Sequence, residues 1–275
     1  MLEARPNRLV EHFLEELARS RKAALLLDYD GTLAPFRVDR DRALPYPGIS
    51  ALLREIMKTG HTRVLLITGR PAQDIVPLLG LTPHPEIWGA YGLQRLKPDG
   101  TCKMPHVSED AVQALAEATQ WLNEAGFRNL GEVKPASVAV HWRGLEDSVA
   151  LHVRRTVLPR WQTIADRARM TLQDFDGGVE MLMPGSNKGD ALRDFLMSVD
   201  PGTPVAYLGD DQTDEHAFRV LQNRGLRILV RPEWRETAAD AWLQPPGELM
   251  NFLFQWLAVC WCAMRPSAEC VAEPL

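Results

Sequence analysis

AALLLDYDGTLAPF, residues 23–36, decides how the chain is read. Five apolar residues, Ala23 to Leu27, stop abruptly at Asp28. A short apolar run without polar alternation predicts a strand buried on both faces, as in a parallel sheet. Working outward, Val64 to Ile67 repeats the pattern and ends at Thr68-Gly69-Arg70-Pro71, with Pro71 placed to open a helix. Pro204 to Leu208 is a third run, ending at Gly209-Asp210-Asp211, and Ile228 to Val230 a fourth. Helical stretches, notably 49–59 and 188–197, lie between them. This alternation predicts an α/β fold with a doubly wound parallel-sheet (Rossmann-like) core.

Asp28, Thr68 and Asp210 each follow the carboxyl end of a predicted strand. Ligands bind at those ends in open parallel sheets, so the three are expected to converge on one site. The middle of the chain has another texture: a helix at 109–125, an alternating strand at 137–142, a helix at 147–168, and two short strands at 170–183 around Asp176-Gly177-Gly178. It reads as a smaller α/β cap domain inserted in the core. The expected division is core 1–97, cap 98–183 and core 184–275. Trp121, Trp142 and Trp161 in this segment offer either ring faces for sugars or core packing.

The chain has 275 residues, 45% hydrophobic and 24% charged, with a net charge of −5. That charge gives no reason to expect nucleic acid or an anionic membrane as partner, and any bound anion needs locally placed cations or a metal. The first 20 residues are charged throughout, with apolar residues at helical spacing, so they do not read as a secretory signal. The apolar stretch from Phe252 to Met264 is short of the roughly 20 residues of a membrane span and reads as a core helix. Cys102, Cys260, Cys262 and Cys270 match no zinc or disulfide spacing and read as reduced thiols. A soluble, cytoplasmic protein is expected; the oligomeric state is open, and the Trp261- and Cys-rich tail has no assigned role.

The motifs carry chemistry. Asp28 ends a strand, where it can attack phosphorus and hold a metal; Asp30 follows on the turn, within reach of a leaving oxygen. Gly31 permits the tight backbone and Thr32 can cap the next turn. The same residues also suit an ordinary loop in which acids satisfy backbone donors. Thr68 can donate to a phosphate oxygen or cap a helix. Lys188 opens a helix, where the dipole disfavours a cation, so it reads as serving an anion or as a solvated surface lysine. Asp210, Asp211, Asp214 and Glu215 repel one another without a cation, and magnesium, a hard oxygen-seeking ion, suits them. An acid-rich helix N-terminus is the alternative.

DYDGT after an apolar strand, Thr68 in LLITGR, Lys188 in SNKGDAL and the acids of YLGDDQTDEHAF together resemble the four motifs of the haloacid-dehalogenase-like phosphatases, in their order. The resemblance implies Asp28 as nucleophile, Asp30 as acid and base, Thr68 and Lys188 on the phosphate, and Mg2+ on Asp28, the Asp30 carbonyl and Asp210. Asp211 and Asp214 would support the metal. An aspartyl-phosphate intermediate follows from that scheme.

With GEVKPASVAVHWR at 131–143 and GVEMLMPGSNKG at 178–189, the chain is most similar to the trehalose-phosphatase family. This implies a small-molecule sugar phosphate as partner and substrate contacts from Arg70, Glu132, Lys134, His141, Arg143 and Glu180. Lys134 and Arg143 also suit the wet face of a strand, His141 a structural role, and Glu180 an exposed strand face. Tyr91, in IWGAYGLQRL, stands where the family more often has histidine, so local contacts are expected to differ. The alternatives are a phosphatase for another sugar phosphate, such as a mannosyl- or glucosyl-3-phosphoglycerate, and a non-catalytic sugar-phosphate-binding module. Cap closure over the substrate, hinged near Lys97 and Pro184, is also expected.

Overall fold

The structure, a computed structural model, describes residues 8–37, 39–104, 108–134, 137–175, 177–183 and 186–264. Asp176, Pro184 and Cys270, singled out above, lie outside them.

The larger sheet has eight strands: β1 (Ala23–Leu27), β2 (Thr62–Ile67), β3 (Glu86–Gly89), β4 (Gln94–Leu96), β5 (Cys102–Lys103), and, after a long excursion, β10 (Val205–Gly209), β11 (Leu226–Val230) and β12 (Ala241–Leu243). Their order is β12-β11-β10-β1-β2-β3-β4-β5, parallel from β12 to β3 and antiparallel at β4 and β5. The chain leaves β1 first toward β2 and later returns to its other side as β10. That reversal puts the carboxyl ends of β1 and β10 side by side, where the expected site falls.

Period-two geometry explains why β1 is apolar throughout: Ala23, Leu25 and Leu27 face one layer, Ala24 and Leu26 the other. The first layer holds α1 (Arg8–Arg19), α2 (Ile49–Lys58), α3 (Ala72–Leu79) and α8 (Gly247–Met264). The second holds α6 (Lys188–Leu196) and α7 (Asp214–Leu221). The apolar run near the C-terminus is the core helix α8. It buries Leu249, Phe252, Leu253, Trp256, Leu257 and Cys260 at helical spacing. Trp256 Nε1 also donates to Thr62 Oγ1 at 3.0 Å, tying α8 to β2. Among the described residues no helix is long and apolar enough to cross a membrane.

Between β5 and α6 the chain builds a separate four-stranded antiparallel sheet: β6 (Gly131–Lys134), β7 (Ser137–His141), β8 (Thr171–Phe175) and β9 (Gly178–Leu182), in the order β6-β7-β9-β8. Helices α4 (Glu109–Glu124) and α5 (Asp147–Ala168) pack on it around their own apolar cluster. The strand at 137–142 does not alternate as expected. Ser137 to Val140 are all buried: Val138 and Val140 lie in the helix-covered cluster, and Ser137 donates to the buried Glu180. Trp161 is fully buried in that cluster, and Trp121 and Trp142 pack against it. The three tryptophans are core.

Candidate active site

The carboxyl ends of β10, β1 and β2 line up, so Asp210, Asp28 and Thr68 together line a cleft of about 660 Å³ between the two sheets. Asp28 is 3% exposed. Lys188 Nζ lies 2.7 Å from its Oδ1, and Thr32 Oγ1 donates to Oδ2 at 3.4 Å. Lys188 is no surface lysine: it is buried and also donates to Asp214 Oδ1 at 2.8 Å. Two carboxylates across its ammonium raise its pKa despite burial. Burial pushes the Asp28 carboxyl up to about 7; Lys188 opposes this and Asp214 adds to it.

Asp214 and Asp210 differ sharply. Asp214 accepts from Lys188, from Tyr207 OH at 2.6 Å, and from the N–H groups of Asp210 and Asp211 at 3.1 and 3.0 Å. Its charge is balanced, and it sits behind the cleft wall. Both carboxylate oxygens of Asp210 are buried without a hydrogen-bond partner. Burial, then Asp28 and Asp214, push its pKa well above the usual carboxylate range. Carboxylate oxygens of Asp28, Asp210 and Asp214 lie within 4.8 Å of one another. An orphaned buried carboxylate in a pure oxygen set fits a hard divalent cation, and Asp28 and Asp210 are the two that would hold it. Gly31, at φ +83°, leaves that space open: a Cβ there would sit 2.1 Å from Asp210 Oδ2.

Asp30 stands on the cleft wall, with Arg70 donating to it through Nε at 2.7 Å and Nη2 at 2.5 Å. Arg70 Nη1 reaches the Arg40 carbonyl at 2.8 Å. Arg70 lines the cleft as expected, but its fork grips Asp30. Thr68 Oγ1 accepts from the Arg70 N–H at 3.2 Å, while α3 is capped by Pro71 with no side-chain bond, so Thr68 is not that helix's cap.

The four-stranded sheet supplies the opposite wall. Glu180 is fully buried and takes three donors: Lys134 Nζ at 2.8 Å, Ser137 Oγ at 2.5 Å and, from across the cleft, Tyr91 OH at 2.7 Å. It does not lie on an exposed strand face, because β9 is an inner strand whose open side faces the larger sheet. His141 Nε2 lies 2.8 Å from Glu132 Oε2, and Arg40 pairs with Glu132 from the larger unit. The Arg143 guanidinium lies 4.1 Å from the Phe36 ring centroid. Asp211 also lines the cleft. Arg40 and Phe36 were not foreseen, since a loop cation and a lone aromatic carry no periodic signal.

A buried carboxylate–lysine pair and an orphaned aspartate at the switch point of a doubly wound sheet define a phosphatase of the haloacid-dehalogenase-like class. Residues 26–241 match the trehalose-phosphatase family. A probable trehalose-phosphate phosphatase H of Arabidopsis thaliana is 29% identical, aligned over 92% of this chain and 76% of its own length. Trehalose 6-phosphate phosphatase RA3 of Zea mays is 28% identical over 86% of this chain and 70% of its own. The C-terminal domain of trehalose-6-phosphate phosphatase from C. albicans superposes with a TM-score of 0.76 at 18% identity, covering 92% of this chain and 96% of that domain. The C-terminal domain of the Candida albicans trehalose synthase regulatory protein has a TM-score of 0.70 at 14% identity, covering 89% and 97%. The chain belongs to the trehalose-phosphatase family of phosphoric monoester hydrolases.

Proposed function

We propose that this chain hydrolyses trehalose 6-phosphate to trehalose and phosphate, with Mg2+, through a phosphorylated Asp28. The observation that carries the reading is the buried Lys188 bridging Asp28 and Asp214 beside the unpartnered Asp210. An Asp28 oxygen attacks phosphorus, the bond to the sugar oxygen breaks, and Asp30 gives that oxygen its proton. Asp30 then takes a proton from water, which attacks phosphorus and frees Asp28 and inorganic phosphate. Asp30 must turn from the Arg70 fork to reach the sugar oxygen. Lys188 and Thr68 face the phosphoryl group. Mg2+ on Asp28, the Asp30 carbonyl and Asp210 would screen the phosphoryl charge.

The four-stranded unit acts as a cap over the disaccharide. The division at 98–183 shifts slightly in this reading, because β5 pairs with β4 in the larger sheet and the cap begins beyond Lys103. Glu132, Lys134, His141, Arg143 and Glu180 face the sugar, and a cleft of about 660 Å³ suits a disaccharide phosphate. The described Cys102 and Cys260 are unbridged, which supports a reducing compartment such as the cytoplasm.

The test is phosphate release from trehalose 6-phosphate, glucose 6-phosphate and a mannosylglycerate phosphate, with and without Mg2+, for the native enzyme and Asp28→Asn. Release from trehalose 6-phosphate alone, lost with chelator and in Asp28→Asn, is expected. Near-normal turnover by Asp28→Asn defeats the nucleophile; release from another compound only keeps the chemistry and replaces the substrate.

A further inference from the structure

Arg235, in the connection from β11 to β12, belongs to none of the four motifs, and its guanidinium lies behind the Asp210 loop. Nε donates to the Asp210 carbonyl at 3.2 Å and Nη2 to the Asp211 carbonyl at 2.8 Å. Nη1 donates to Glu215 Oε1 at 2.6 Å and to the Glu236 carbonyl at 2.9 Å. On the other side, Asp214 Oδ2 accepts the N–H groups of the same two residues, Asp210 and Asp211. Residues 210 and 211 are therefore gripped at N–H by Asp214 and at C=O by Arg235, with Arg231 Nη1 a longer donor to the Asp210 carbonyl at 3.5 Å.

The grip matters because nothing holds the Asp210 side chain itself. Both its oxygens lack hydrogen-bond partners, so the backbone that carries it must aim it at Asp28. A cation behind a metal site would ordinarily repel the ion. Here Glu215, 5% exposed, balances the guanidinium, and two further donors fix Glu215: Thr237 Oγ1 at 2.7 Å and the Ala238 N–H at 2.9 Å. With the charge neutralised locally, the directional hydrogen bonds are what remains.

We propose that Arg235 is a positioning residue for the divalent-cation site, clamping the Asp210 and Asp211 carbonyls so that the Asp210 carboxylate faces Asp28. This rests on the Mg2+ reading above. A planar fork is needed, since the acceptors are met by three separate guanidinium nitrogens, whereas the three donors of an ammonium all sit on one atom.

The experiment titrates Mg2+ into the full chain by calorimetry, for the native protein, Arg235→Lys, Arg235→Gln and a control, Arg227→Lys. Arg227 makes a comparable fork on the same sheet edge, and its guanidinium bonds Asp240 rather than the Asp210 loop. Arg235→Lys keeps a charge for Glu215 and is expected to melt near the native temperature without Mg2+, yet to bind Mg2+ about tenfold more weakly, as losses around metal ligands do. At saturating Mg2+ its KM for the sugar phosphate should stay native. Arg235→Gln should bind more weakly still, and Arg227→Lys like the native protein. Native Mg2+ affinity in both Arg235 variants overturns the clamp, and so does tighter binding, which would show charge repulsion outweighing geometry. Equal weakening in Arg227→Lys also overturns it, by making the effect one of general edge stability. No Mg2+ binding by the native protein overturns the metal reading and the clamp with it.

Discussion

Tyr91 and Glu180, 89 residues apart, meet across the cleft: the phenol donates to Glu180 Oε2 at 2.7 Å. Tyr91 sits at φ 57°, ψ 32°, a left-handed conformation that a bulky residue rarely adopts. Gly69 makes room for it, since a Cβ there would lie 2.8 Å from the Tyr91 ring. Glu180 already has Lys134 and Ser137 from its own sheet, so the phenol is the one of its three donors that comes from the other unit. A hydrogen bond to a charged group contributes about 1.5–3 kcal/mol, but on opening water replaces part of it, so a tenfold effect on closure is about what one such bond supplies. Tyr91→Phe should therefore raise KM for the sugar phosphate about tenfold and change kcat less. Steady-state kinetics decide this, and an unchanged KM means the bond does not hold the units together.

Lys188 poses a stability question separable from catalysis. It is buried between Asp28 and Asp214, and removing one member of a buried charged set costs about 3–5 kcal/mol. Lys188→Met should lower the unfolding free energy by that order. Adding Asp214→Asn removes one stranded charge and should restore much of the loss. Turnover should remain abolished in both, because Asp28 still lacks its counter-charge. Denaturant unfolding and phosphate release on the two variants check this; a double variant that recovers activity would place Lys188 outside the chemistry.

How far the site was legible follows from which residues announce themselves locally. Asp28, Thr68 and Asp210 were readable because an apolar strand buried on both faces ends sharply where the chain meets the cleft. Lys188 stood out as a cation at a helix start. Strands β4, β5 and β12 are two or three residues long and carry no periodicity, so they were missed. β3, reading EIWG, and β6, reading GEVK, were missed too. The role of Arg70 was read as substrate contact, since sequence shows a cation near phosphate but not the Asp30 carboxylate that claims it. Tyr91 was visible as a departure, yet Glu180 as its partner exists only once the two sheets face each other. Arg235 depends on a fold-made approach between a loop and the end of β10.

Glu132 sets an acid limit to stability. Burial would raise its pKa, but the His141 hydrogen bond and the charges of Lys134 and Arg40 overcome this and hold it at about 2, against 4.5. A carboxyl lowered on folding contributes stability that is complete above its unfolded pKa and is lost as pH falls through the folded one. Its contribution should therefore fade between about pH 4.5 and 2. Unfolding free energies over that window should fall less steeply for Glu132→Gln than for the native protein. Parallel curves would mean that Arg40, Lys134 and His141 do not stabilise the carboxylate in the fold.

Asp210 is where function should cost stability. Its carboxylate is buried without a hydrogen bond, beside Asp28 and near Asp214, and a cation is what would relieve it. In the absence of metal, Asp210→Asn removes an ionisable group whose charge is disfavoured by burial and by Asp28 and Asp214, while keeping the shape. The metal-free variant should therefore melt higher than the metal-free native protein, by several degrees for each kcal/mol recovered. Mg2+ should raise the native melting temperature, because a ion that binds only the folded state stabilises it, and should do little for the variant. Turnover should be lost in the variant. A scan with chelator and with Mg2+ on both proteins reads all of this at once. If metal-free Asp210→Asn melts lower than native, the Asp210 charge is already compensated inside the protein, and the case for a divalent cation between Asp28 and Asp210 falls.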